Sequence, residues 1–164
     1  MNLRMSTLSL AALLVLTSWL PAGEKGTLKW LRFDTGLQEA KKSNKKVLID
    51  VYTDWCGWCK KMDANTYNNA AVAEYLANNF SVVRLNAESP DKLTYKGERY
   101  TEQQLSYAFG INGYPSTIFL RSDGEPITVL PGYAEAADFR VILSYIAEDH
   151  YLSKKFTDYK NERK

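Results

Sequence analysis

The sequence predicts an α/β protein with a central mixed β-sheet flanked by helices, and three observations carry that prediction. Val47-Leu48-Ile49-Asp50-Val51-Tyr52 is a β-branched, nearly continuous apolar run, the pattern of a strand buried on both faces. A helical stretch separates it from a second run, Phe80-Ser81-Val82-Val83-Arg84-Leu85, giving a strand, helix, strand unit with parallel strands and a right-handed crossover. Farther on, Thr117-Ile118-Phe119-Leu120 and the run from Ile127 to Leu130 flank Asp123-Gly124, the composition of an antiparallel return.

Taken in order, the first 23 residues differ from the rest. Arg4 gives a positive start, Leu8 to Leu20 is an uncharged apolar run, and Pro21-Ala22-Gly23 supplies small residues for cleavage, so residues 1–23 are expected to be a secretory signal. An uncleaved anchor or a buried helix is the alternative, but about 13 apolar residues fall short of the roughly 20 that span a bilayer. Asp34 is expected to cap a short helix over LQEAKKSN that ends at Lys45 and Lys46. Helical composition fills Lys60 to Asn69 and Ala70 to Asn79, with a break at the paired asparagines. Residues 88–100, polar and carrying Pro90 and Gly97, read as a surface loop. Thr101-Glu102-Gln103-Gln104 has the form of a capping box, and the helix it starts should stop at Gly110. Phe139, Ile142, Leu143 and Ile146 recur at helical spacing, so a final amphipathic helix covers the sheet. Residues 151–164 form a charged extension that keeps Leu152, Phe156 and Tyr159, and are read as docking loosely or fraying.

The 164 residues fit one domain with its own core, expected over 24–150. A hydrophobic fraction of 45% and an aromatic fraction of 13% are far from a disordered composition. The net charge of +2, from 21 basic and 19 acidic residues, is too balanced for the basic stripe that nucleic acid requires, so no nucleic-acid partner is expected.

The chain has two cysteines, in Cys56-Gly57-Trp58-Cys59, directly after the first buried strand. A cysteine in the first turn of a helix meets free backbone N–H groups and the positive end of the helix dipole, which favour thiolate over thiol. Cys59 lies nearly one turn along, within reach of the same sulfur, so the pair can open and close. Exchange through a mixed disulfide calls for an exposed attacking sulfur, Cys56, and a more buried resolving one, Cys59. Three other readings stay open. A structural bridge is one, though so short a loop gives little stabilisation. Zinc is another, but His150 is the one further soft ligand. The third is a Cu(I) carrier using the two sulfurs alone.

Asp50 lies inside an apolar strand, where an unpaired carboxylate is costly and holds its proton tightly. It is read as a proton acceptor, or else as the partner of a base such as Arg84 or Lys60.

With these residues in view, the chain resembles the thioredoxin superfamily. Val47 to Lys60 is similar to the family's strand and active-site segment, with Trp58 where thioredoxin has proline. Ile111-Asn112-Gly113-Tyr114-Pro115-Ser116-Thr117 resembles its cis-proline segment, Asp123-Gly124-Glu125 its turn, and Gly132 its glycine before the last helix. The nearest subgroup in pattern is that of exported thioredoxin-like proteins, including sulfur-oxidation thioredoxins and the periplasmic terminal domain of membrane reductases.

The resemblance implies a thioredoxin fold and a thiol:disulfide oxidoreductase of the bacterial periplasm. It implies that Cys56 and Cys59 are the catalytic pair and that Asp50 serves Cys59 through water. It further implies that a cis bond turns the Tyr114 backbone toward Cys56. Trp55, Gly57, Trp58, Tyr114 and Pro115 are then the expected substrate-contacting residues, with simple packing as the other reading of the two tryptophans. No cofactor beyond the redox-active disulfide is expected, nor a metal. The expected partners are exported protein thiols and disulfides and a membrane reductase as electron donor, and the family default is a monomer. Because Gly57-Trp58 carries no histidine, reduction of clients is preferred over oxidation or isomerisation.

Overall fold

A computed structural model describes residues 28–163. The expected signal, residues 1–23, lies outside them. Helix α1 (Phe33–Ser43) leads into strand β1 (Lys46–Tyr52), and α2 (Gly57–Met62) runs on through a π-helical turn (Asp63–Tyr67) to α3 (Ala70–Asn79). Then come β2 (Phe80–Asn86), β3 (Lys92–Tyr95), β4 (Glu98–Thr101), α4 (Glu102–Ala108), β5 (Ser116–Leu120), β6 (Pro126–Pro131), α5 (Ala136–Ala147), a 3₁₀ turn (His150–Leu152) and α6 (Phe156–Asn161).

The main sheet has four strands in the order β2-β1-β5-β6. β1 pairs with β2 in parallel and with β5 antiparallel, and β6 returns antiparallel to β5, so the sheet is mixed as expected. Every residue of β1 from Val47 to Val51 is buried. Its side chains alternate between two core layers, as a period of two requires. Val47, Ile49 and Val51 join Phe33, Ala40 and Leu105 on one face, while Leu48 joins Met62, Tyr67, Leu76 and Phe139 on the other. Leu31 extends the β2 edge by a single parallel bridge to Val83, its N–H donating to Val82 O at 2.9 Å.

Helix α1 starts differently from the sequence expectation. Burial of Phe33 draws the helix start forward to that residue, so Arg32 stands at the cap without a side-chain bond and Asp34 falls inside the first turn. The Asp34 carboxylate accepts the Thr94 N–H at 2.9 Å instead, tying α1 to β3. The helix ends at Ser43, before the two lysines, with Asn44 in the left-handed region (φ 53°). Gly36 lies where α1 crosses β2, and a Cβ there would overlap Val83 Cγ2.

Residues 88–100 are not a loop throughout. β3 and β4 form a separate hairpin whose turn is Lys96-Gly97, both at positive φ (51° and 84°), as tight hairpin turns require. Leu93 is buried and Tyr95 stacks edge-on against Phe33, while the facing residues are polar, which gives the segment its loop-like composition.

Asn69 caps α3, its side chain accepting from the Ala71 and Val72 N–H groups. The capping box at Thr101 and Gln104 forms with both bonds present. The extension also docks: Tyr159 is 2% exposed and its hydroxyl lies 2.8 Å from Ser144 Oγ on α5. Leu152 faces solvent. Among the described residues no helix is long and apolar enough to cross a membrane.

Candidate active site

β1 ends at Tyr52, and the chain turns through Thr53, Asp54 and Trp55 so that Cys56 caps α2. The Cys56 N–H donates to Thr53 O at 3.2 Å, which closes the turn. Cys56 and Cys59 form a disulfide with Cα atoms 5.3 Å apart. The Cys59 N–H donates to Cys56 Sγ at 3.0 Å, so a backbone donor addresses this sulfur, of the kind that favours a thiolate. In this disulfide state neither cysteine is exposed: Cys56 is 4% and Cys59 6% accessible. The expected contrast between an open attacking cysteine and a buried resolving one is therefore absent in the disulfide state.

Asp50 is 2% exposed, on the β1 face that carries Leu48 and meets Tyr67. Burial pushes its carboxyl up to about 7, against the pull of the Arg84 guanidinium, and the nearby Asp63 charge adds to the upward push. Both expected partners of Asp50 can be placed. Arg84, beside it on β2, brings Nε to 3.4 Å from Oδ2 without hydrogen-bond alignment, whereas Lys60 is exposed on α2. Arg84 also bonds Asp63 Oδ1 through Nη2, and its guanidinium lies over the rings of Trp30 (4.7 Å) and Tyr52 (5.4 Å). Arg84, Trp30 and Tyr52 line a cleft of about 330 Å³ together with Asn86 and Glu102. Tyr67 completes the surroundings, its hydroxyl 3.4 Å from both Asp50 Oδ1 and Thr117 Oγ1.

Around the disulfide the side chains are aromatic. Trp55 is 67% exposed, donates its indole N–H to Glu88 Oε1 at 2.9 Å and meets Tyr114 edge-on at 6.0 Å. Trp58 is 56% exposed and packs on Tyr133 at 5.4 Å, with Lys61 Nζ 4.6 Å above its ring. No atom lies within 4 Å of a Cβ built on Gly57. The Tyr114–Pro115 bond is cis, and Pro115 O accepts the Gly132 N–H at 2.8 Å, which brings the two segments singled out in the sequence side by side. Tyr67, Asp63, Lys61, Tyr133 and Glu88 have contacts here that the sequence pattern does not single out. Among the described residues no three His, Cys, Asp or Glu side chains are grouped to hold a metal ion.

Fold and site together define a thioredoxin-like disulfide oxidoreductase. The chain belongs to the thioredoxin-like domain family, whose model matches residues 33–147. It is 32% identical over 107 residues to the thiol:disulfide interchange protein DsbD of Neisseria meningitidis, an alignment covering 65% of this chain and 16% of that protein. The chain spans between 13% and 16% of the length of the first curated relatives it matches. The reduced C-terminal domain of N. meningitidis DsbD superposes with a TM-score of 0.54 at 27% identity, over 68% of this chain and 91% of that domain. A thioredoxin-fold protein from Helicobacter pylori superposes with a TM-score of 0.62 at 19% identity, over 73% of this chain and 80% of its own, a likeness of fold.

Proposed function

We propose that this protein reduces disulfides of exported client proteins, with Cys56 as attacking and Cys59 as resolving residue. The observation that carries the reading is the Cys56–Cys59 disulfide at the start of α2, its Cys56 sulfur already accepting a backbone N–H. In the dithiol form, the Cys56 thiolate attacks one sulfur of a client disulfide, and the other leaves as a thiolate. The Cys59 thiol loses its proton to Asp50 and attacks Cys56 Sγ, releasing the second client sulfur. Two electrons pass to the client and the bridge closes. A carboxyl near 7 is poised to take and return that proton at neutral pH. Trp55, Gly57, Trp58, Tyr114 and Pro115 form the client-docking surface. Turnover requires a dithiol donor, and a membrane reductase is the class that delivers electrons to an exported protein. Export, with the bacterial periplasm as compartment, rests on the signal-like residues 1–23 and the family resemblance.

One observation favours a second reading, an oxidase or isomerase: the Lys61 ammonium, two residues past Cys59 on α2, rests over the ring of Trp58 between the cysteines, and cations near a cysteine favour the thiolate form that makes a strong oxidant. The reduction potential separates the two. Equilibration against glutathione or dithiothreitol should give a value near the roughly −270 mV of thioredoxin, and a value near about −120 mV would establish the oxidant instead. In parallel, Cys59→Ser should trap clients covalently through Cys56; the lack of any adduct would end the exchange mechanism.

A further inference from the structure

The strand order arranges the surroundings of the disulfide in a row. β1, β2 and β6 end, and β5 begins, at one end of the sheet. Asn86 and Glu88 therefore follow β2, Cys56 follows β1, Tyr114 precedes β5, and Gly132 and Tyr133 follow β6. The outer members are three strand spacings apart, roughly 14 Å.

Each tryptophan of the rim holds a charge. Lys61 Nζ rests 4.6 Å from the Trp58 centroid and 5.1 Å from that of Tyr133, on the β6 side. Glu88 accepts the Trp55 indole N–H on the β2 side, where Asn86 Nδ2 also donates to exposed Asp54 at 3.4 Å. Among the described residues neither Lys61 nor Glu88 belongs to an ion pair. The face of one indole and the N–H edge of the other hold these two exposed charges in place, and neither has an opposite charge among the described residues as its partner.

We infer that client docking is polarised: the surface selects an extended segment whose cysteine carries a carboxylate toward Trp58 and Lys61 and a basic side chain toward Trp55 and Glu88. This specificity rests on the exchange reading above. An extended chain advances about 3.3 Å per residue, so roughly 14 Å spans about four residues, with the client cysteine one strand spacing from the β2 side and two from the β6 side. Steering by such exposed charges acts on the encounter rate and weakens with salt.

The test uses the reduced protein and three cysteine peptides, each disulfide-linked to 5-thio-2-nitrobenzoate. One has neutral flanks, one has Glu two residues before and Lys two residues after the cysteine, and one has the reverse order. Stopped-flow release of the coloured thiolate should show one charged order reacting about three- to tenfold faster than the other at low ionic strength. That preference should collapse at about 1 M salt. It should invert in the double variant Lys61→Glu with Glu88→Lys, both surface positions. Equal rates for the two orders, or a preference unchanged in the double variant, overturn the polarised docking and leave the exchange reading intact. If none of the three peptides reacts, the exchange reading falls and takes this inference with it.

Discussion

The Tyr67 hydroxyl and the Asp50 carboxylate stand 3.4 Å apart in the interior, and a helical irregularity brings them together. After Met62 the helix widens, and the Asn68 N–H donates five residues back to Asp63 O at 3.0 Å. That extra residue per turn places Tyr67 in the core under the sheet and leaves Asp63 at the boundary, against Arg84. One turn thus supplies a hydroxyl to Asp50 and a carboxylate to the arginine beside it.

Tyr67→Phe removes a donor that favours ionised Asp50. Its carboxyl should then rise above the present value of about 7. Carboxyl carbon-13 titration reads this directly. The stability change should stay within about 1 kcal/mol, since the hydroxyl's contacts are long. An unmoved titration would reduce Tyr67 to a packing role.

Asp50→Asn should stabilise the oxidised protein, and the gain should depend on pH. The folded carboxyl is held near 7 against a usual 3.8, so the folded state binds its proton more tightly than the unfolded chain does. The associated penalty is absent below about pH 4, grows as pH rises toward 7, and is constant above it. At pH 8 relief of this penalty contributes up to about 4 kcal/mol. Urea unfolding of both proteins at pH 4, 6 and 8 checks it; a gain that does not vary with pH would contradict the assignment.

Gly36→Ala should cost about 1–3 kcal/mol, because the new methyl meets Val83 where α1 crosses β2. Thermal or urea unfolding measures the loss. Little effect would mean that α1 shifts freely on the sheet.

Tyr159→Ala should destabilise by about 3 kcal/mol through loss of a buried ring and of the bond to Ser144. The exchange rate of the folded variant should be unchanged, since no observed contact links Tyr159 to the disulfide. A stability equal to that of the unaltered protein would mean that α6 is not docked in solution.

Legibility in the sequence followed how local the cause was. β1 was readable because burial on both faces imposes a continuous apolar run, and α4 because its capping box is closed by residues three apart. The start of α1 was misread, since Asp34 has the chemistry of a cap but serves Thr94, sixty residues away. The β3–β4 hairpin was hidden because one of its faces is solvated, so Leu93 and Tyr95 were diluted among charges. At the site, the cysteines, Asp50 and the Tyr114-Pro115 segment were visible as motifs. Tyr67 and Tyr133 were not: one depends on a π turn that no residue type announces, the other on the packing of Trp58.

The two margins of the sheet bear on how this protein survives at high concentration. Leu31 occupies part of the ladder that β2 would otherwise offer, while β6, the opposite margin, begins and ends with prolines that have no N–H to donate. A neighbouring molecule therefore finds the β2 ladder interrupted at its middle and the β6 ladder stopped at both ends. Both margins thus disfavour strand addition by another copy, a route that would not involve the end of the sheet carrying the disulfide.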